Sequence, residues 1–317
     1  MTPREPLEVE TDWRDSLAAI AQLARLPNIF TALADVTMGF LFVRKFQSGD
    51  GLGLGLLLAA SALLYAAGTT FNDYFDYKLD FEERPERPIP SGLISRRAAG
   101  WLGTTWLILG LATAFAAWPL GGTLRSALVA LLLAGCILLY DVWMKRTVVG
   151  PVAMGACRFF NVLLGMSVLV GPWRVEHWVT AAAIGTYITG VTWLSRTENC
   201  RSQRLHLTGA LTLMMAGVGL LAVLPSLSDK VDFNQESTLA RWHLLLAAMG
   251  VLIGWRSVWA ILDPRPSIVR GAVGQAILSL IFLDAAACFA MRGIHGAVVF
   301  LLFLIPAVFF AQLFRST

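Results

Sequence analysis

The sequence predicts an all-α integral membrane protein, a bundle of nine to ten transmembrane helices around a central cavity. Three observations predict it. Of 317 residues, 56% are hydrophobic and only 15% charged, whereas soluble domains run near one quarter charged. Mean hydropathy is +0.65. Apolar runs long enough for a bilayer recur along the whole chain, without the short alternating segments of a membrane barrel.

Taken in order, residues 1–16 form a polar segment of mixed charge, unlike a secretory signal, and 17–317 read as one transmembrane domain. Spans are expected at 17–44, 53–77, 98–119, 124–141, 150–170, 176–196, 206–225, 241–262, 268–290 and 294–314. "MRGIHG" at 291–296 divides the last two. Only the connections 78–97 and 226–240 are long. Basic residues favour the loops after even-numbered spans: Lys78, Arg84, Arg87, Arg96 and Arg97, then Lys145 and Arg146, Arg201 and Arg204, and Arg265. That bias places these loops in the cytoplasm, with a bacterial plasma membrane as the expected location. Trp101, Trp118, Trp143, Trp173 and Trp178 fall near span ends, where tryptophan anchors at the interface.

The net charge of +4 does not point to nucleic acid, because its basic residues sit in short loops that membrane topology explains. Cys136, Cys157, Cys200 and Cys288 form no CxxC pair, so neither a zinc site nor a disulfide framework is implied. His177, His206, His243 and His295 lie near span ends without metal-ligand spacing.

The charge that stands out is in "AGTTFNDYFDYKLDFEERPERPIPSG", residues 67–92. Asp73, Asp76 and Asp80 recur three and four apart, which places them on one face of a helix. Three like charges there repel unless a cation joins them. Mg²⁺ suits such a place, since it takes one or two carboxylates and completes its shell with water and phosphate oxygens. Asn72 adds a neutral oxygen. Arg84 and Arg87 carry planar forks suited to phosphate, and Lys145 and Arg146 lie at the same membrane face. The plainer reading is a solvated helix end, with Lys145 and Arg146 acting only as topological anchors.

"NDYFDYKLDFEERPERPIPSG" resembles the first aspartate-rich motif of the UbiA superfamily of intramembrane prenyltransferases. "RLPNIFTALADVTMGFL" at 25–41 is similar to that family's first helix, "YDVWMKR" at 140–146 to the segment after its fourth, and "GACRFFNVLLG" at 155–165 to its fifth. The resemblance covers most of the chain. It implies a helical bundle in which two aspartate motifs hold Mg²⁺ on a prenyl diphosphate, whose prenyl group passes to a lipid-soluble or amphiphilic acceptor. Asp73, Asp76 and Asp80 would then be metal ligands and catalytic residues. "LSRTE" and "CRFFN" are similar to a branch called EboC-like, encoded in bacterial secondary-metabolite clusters, so an aromatic or polyol acceptor in secondary metabolism is the expectation.

The chain departs from the family at the second motif. In 192–207, "TWLSRTENCRSQRLHL", Glu198 is the only acid, and it is the one expected metal ligand there. Arg196, Arg201 and Arg204 are cations able to partner phosphate in place of a second metal. The alternative is a non-catalytic or transport member of the fold that binds a lipid-linked phosphorylated intermediate. A CDP-alcohol phosphotransferase would need Asp-Gly-x-x-Ala-Arg, whereas Asp76 is followed by Tyr-Lys-Leu. Inside spans, Arg158 and Asn161 are expected to line the cavity near phosphate or acceptor, or else to hold helices together. Asp35 is expected to bind the acceptor or pair with Arg158, and Asp284 to be structural, since ionisable groups at membrane depth face a cavity or a partner.

Overall fold

The structure, a computed structural model, describes residues 13–120, 123–198, 201–228 and 236–313. Most of the expected polar segment 1–16, Cys200 and the middle of the 226–240 connection lie outside the described residues.

The first expected span is two helices, α1 (Trp13–Leu23) and α2 (Leu26–Val43). They part at Arg25, a non-glycine residue held in the left-handed region (φ 47°, ψ 54°), with Pro27 in the first turn of α2 where its missing N–H is harmless. Hydropathy alone could not separate them, because Ala24 continues the apolar run. The second span is α3 (Gly51–Phe75), extended by the short α4 (Tyr77–Glu83). There follow α5 (Arg96–Ala116), α6 (Leu124–Val142), α7 (Gly150–Met166), α8 (Val175–Ser195), α9 (Arg204–Ala222), the four-residue α10 (Leu224–Leu227), α11 (Glu236–Leu262), α12 (Pro266–Val298) and α13 (Leu301–Leu313). Ser95 and Thr123 cap α5 and α6 by accepting from Ala98 N–H and Arg125 N–H, as hydroxyl N-caps do. The expected division at 291–296 is a kink within α12, where Gly293 alone leaves helical geometry (φ 65°, ψ −160°).

Among the described residues, seven helices are long and apolar enough to cross a membrane: α2, α3, α5, α6, α9, α11 and α12. The apolar α7 and α13 are shorter. Helices α2, α3, α6, α7, α8 and α12 pack into an inner ring. Helix α5 lies outside against α3, α9 against α8, α11 against α9 and α12, and α13 against α2.

Small residues let the ring helices approach closely, as in other membrane bundles. A Cβ on Gly39 of α2 would strike the carbonyl of Val162 on α7, and one on Gly165 the carbonyl of Val36. One turn before that crossing, α2 presents Asp35 and α7 presents Arg158 and Asn161. The close approach therefore brings polar side chains together at membrane depth.

Candidate functional site

The inner ring encloses a cavity of about 320 Å³, lined by Arg25, Asn72, Tyr140, Asp141, Glu198 and Ser195 towards one end and by Ser61, Arg158 and Asn161 elsewhere. Of the residues expected from sequence, Asn72, Arg158, Asn161 and Glu198 line it directly. Asp73, Asp76, Asp80, Arg84, Arg87, Lys145 and Arg146 form a rim of ion pairs around its mouth.

The rim is built by the α3–α4 junction. Asp76 alone separates the two helices, yet i→i−4 hydrogen bonds continue across it: Asp76 N–H donates to Asn72 O at 3.0 Å, and Asp80 N–H to Asp76 O at 2.9 Å. The acids thus keep near-helical spacing, but they do not converge on one point. Arg87 Nη1 bridges Asp73 Oδ1 (3.1 Å) and Asp80 Oδ2 (2.7 Å). Asp76 turns the other way, to Lys145 Nζ (2.8 Å) and Arg146 Nη2 (3.5 Å). Asp73 and Asp80 are each 5% exposed, so both carboxylates depend on these partners. Burial raises the Asp80 carboxyl above the usual carboxylate range, with Arg87 pulling it back down.

The Pro-Ile-Pro-Ser-Gly stretch explains how Arg87 is aimed. Ile89 is buried against Leu23 of α1 and Ala99 of α5. Ser91 N–H returns to Arg87 O at 2.9 Å, and Gly92 takes the positive φ of 84° that closes the turn, a geometry that glycine adopts without steric cost.

Two rim residues escaped the sequence reading. Arg25 Nη2 donates to Asp73 Oδ1 at 3.2 Å and Asn72 Oδ1 at 3.4 Å, and its left-handed backbone is the strain that delivers it there. Asp141, at the end of α6, is 2% exposed and accepts from Asn72 Nδ2 at 3.2 Å. An acid ending a span beside "WMKR" was the available signal for Asp141. Arg25 opens the segment that resembles the family's first helix, but no charge pattern around it marked a place in the site.

On α8 the helix stops at Ser195, and 196–198 form a turn. Glu198 faces the cavity and pairs with Arg84 at 3.5 Å across the mouth. Arg196 donates instead to the carbonyls of Lys145, at 3.0 Å, and Thr147. Arg204 donates to Leu262 O at 3.2 Å, and Arg201 is exposed.

Deeper in the ring, Arg158 Nη1 donates to Asp35 Oδ2 at 2.8 Å and Nη2 to Thr31 Oγ1 at 2.8 Å. Asn161 Nδ2 donates to the same Asp35 oxygen at 3.0 Å and to Ala32 O at 2.9 Å. The structure thus pairs Asp35 with Arg158.

Among the described residues, no three His, Cys, Asp or Glu side chains lie close enough to hold a metal ion by themselves. The donors at the mouth nevertheless fit Mg²⁺. They are hard oxygens throughout, Asp73, Asp76, Asp80, Asp141, Glu198 and the Asn72 amide, and Mg²⁺ needs only one or two protein carboxylates when phosphate supplies the rest.

These features define an integral membrane helical bundle with a charged, acid-and-base mouth over an enclosed cavity. The UbiA prenyltransferase family matches residues 32–279, and the chain belongs to that family. It is 45% identical over 84 residues to a digeranylgeranylglyceryl phosphate synthase of Methanoregula boonei, covering 26% of this chain and 30% of that one. The first such relatives are spanned over 24–57% of their length. Among solved structures, one of a digeranylgeranylglyceryl phosphate synthase superposes with a TM-score of 0.62 at 19% identity, covering 87% of this chain and 98% of the other. A UbiA homologue from Archaeoglobus fulgidus bound to DMAPP and Mg²⁺ gives 0.60 at 17% identity, covering 82% and 98%.

Proposed function

We propose that this protein transfers a prenyl group from a prenyl diphosphate to a lipid-soluble or amphiphilic acceptor, with Mg²⁺ as cofactor. The observation that carries the reading is the rim, where buried carboxylates and phosphate-type cations alternate around the mouth of an apolar cavity. Family membership and the relatives' names support it. So does the Mg²⁺ in a structural neighbour.

Bound Mg²⁺ would neutralise charge developing on the departing diphosphate. Asp73 and Asp80 would hold it, with Asp76, Asp141 and Glu198 in reach as further oxygens. Arg25, Arg84, Arg87, Lys145 and Arg146 would leave their carboxylates for phosphate oxygens, binding and orienting the diphosphate. The apolar wall excludes water from the allylic carbon. The mouth would face the cytoplasm of a bacterial cell, and the acceptor would be a polyol or aromatic compound of secondary metabolism.

The test incubates membranes carrying the protein with Mg²⁺, radiolabelled prenyl diphosphates and a panel of acceptors. Asp73→Asn is expected to lower turnover by at least ~100-fold, the scale of losing one transition-state electrostatic contact. A second reading, binding without turnover, draws on α8 offering the mouth a single acid. Mg²⁺-dependent diphosphate binding with no product would favour it. No binding at all would overturn both.

A further inference from the structure

Resting on the transferase reading, we propose that Arg158 is a second recognition point, binding a neutral oxygen group of the acceptor, a hydroxyl or carbonyl, at the inner end of the cavity.

Three observations carry this. First, the inner end is polar where a prenyl tail would want hydrocarbon. From Ser61 to Asn72, α3 rises about 16 Å at ~1.5 Å per residue, with Ser61 and Arg158 at the inner end and the rim at the other. Between them α3 lines the cavity with Leu64, Tyr65, Gly68 and Thr69, and Ile137 faces Gly68, so the wall is mostly apolar. A ligand that reaches Arg158 therefore carries a polar group at its far end.

Second, Arg158 is held rigid with donors to spare. Its guanidinium has five N–H groups. One goes to Asp35 and one to Thr31, and the plane lies over the Tyr65 ring at 5.3 Å. Asn161 has no such reserve: its Nδ2 serves Asp35 and Ala32 O, and its Oδ1 accepts from Ser61 Oγ at 2.7 Å. Asn161 and Asp35 are thus positioning residues, and Arg158 is the one that meets the ligand.

Third, charge selects the ligand class. Asp284 of α12 comes against Asp35. Both Asp284 oxygens, and Asp35 Oδ1, are fully buried with no donor from outside the two carboxyl groups. With Asp35 paired to Arg158 and Asp284 beside it, the guanidinium offers no uncompensated positive charge to a ligand. An anionic group would add to the negative side, whereas a neutral oxygen accepts from the guanidinium without that penalty.

Three probes matched in size test it: toluene, benzyl alcohol and benzoate, which differ only in a methyl, neutral hydroxymethyl or carboxylate group and carry no other oxygen. Their dissociation constants are measured by calorimetry on the detergent-purified full chain. Binding of geranyl thiodiphosphate with Mg²⁺ is measured in parallel. The hydroxymethyl probe should bind about tenfold more tightly than toluene, the scale of one hydrogen bond to a charged group, and more tightly than the carboxylate. That advantage should vanish in the double variant Arg158→Met with Asp35→Leu, which removes both members of the ion pair together. Thiodiphosphate binding should be unchanged in it. If the double variant does not fold, Arg158→Lys decides, because lysine keeps the charge but not the fork. Equal binding of all three probes by the natural protein, preference for the carboxylate, or an advantage that survives in the deciding variant would overturn the proposal. Absent thiodiphosphate binding in the natural protein would instead overturn the transferase reading.

Discussion

Arg87 occupies the place between Asp73 and Asp80 that a metal ion would share, with 3.1 and 2.7 Å contacts to the two carboxylates. A guanidinium and Mg²⁺ therefore compete for the same oxygens. Arg87→Gln is expected to tighten Mg²⁺ binding in the absence of diphosphate. The same change should weaken diphosphate binding about tenfold, the scale of one charge-assisted hydrogen bond. Calorimetry with each ligand separately checks the opposite signs, and a variant that loses both would show that Arg87 only holds the rim together. Asp80 gives a pH dependence. Its folded pKa is raised by burial, so the native state binds this proton more tightly than the unfolded chain. Asp80 is then slightly destabilising at neutral pH, and that cost is relieved as pH falls through the raised value. Metal binding runs the other way, because the proton displaces the metal. Mg²⁺ affinity should begin to fall at a pH above the ordinary carboxylate value of about 4, and Asp80→Asn should remove that early onset. The 3,4 spacing placed the acids together at one helix end, as the sequence expected, but the break at Asp76 turns that carboxylate away from Asp73 and Asp80. Arg25 was not legible in sequence, since its role depends on a backbone conformation that no neighbouring residue announces. The pairing of Arg196 with loop carbonyls was hidden likewise, because it follows from where α8 stops.

At the scale of elements, the bundle owes its tightness to backbone contacts between helices. A Cβ on Gly155 of α7 would run into the Gly185 carbonyl of α8, and one on Gly190 of α8 would sit 2.6 Å from the Ala210 carbonyl of α9. Neither neighbour can give way without moving its helix. Gly155→Val is expected to cost about 1–3 kcal/mol by overpacking, read as a lowered thermal midpoint in detergent. Arg158 sits one turn further along α7, so the acceptor end of the cavity should suffer more than the rim, whose Arg87 is fixed through α1 and α5. Hydropathy located these helices well because ~20 apolar residues are hard to hide. It misread the first span, where the apolar count continued through a change of direction at Ala24–Arg25; that break is set by φ and ψ, which hydropathy does not sense. The interruption at 291–296, by contrast, coincides with the kink at Gly293.

For the whole molecule, the inner ring and the outer helices place the entire charged rim at one end of the bundle. That end should lie in the cytoplasm if the Lys and Arg bias holds. In a cysteine-free background, a single cysteine at Glu82 should resist a membrane-impermeant maleimide in intact spheroplasts and react in inverted vesicles, with Ser48→Cys showing the reverse. The rim has one more consequence. Asp73, Asp76, Asp80, Asp141 and Glu198 are equalled in number by Arg25, Arg84, Arg87, Lys145 and Arg146, with Asp76 taking both Lys145 and Arg146 and Asp141 held by the Asn72 amide. A balanced mouth casts little long-range field, so a dissolved anion would not be drawn in from a distance. An amphiphile moving in the plane of the bilayer needs no such attraction, because the membrane already confines its search to two dimensions. Capture of a prenyl diphosphate should accordingly be nearly indifferent to ionic strength, with salt acting only after the head group has arrived.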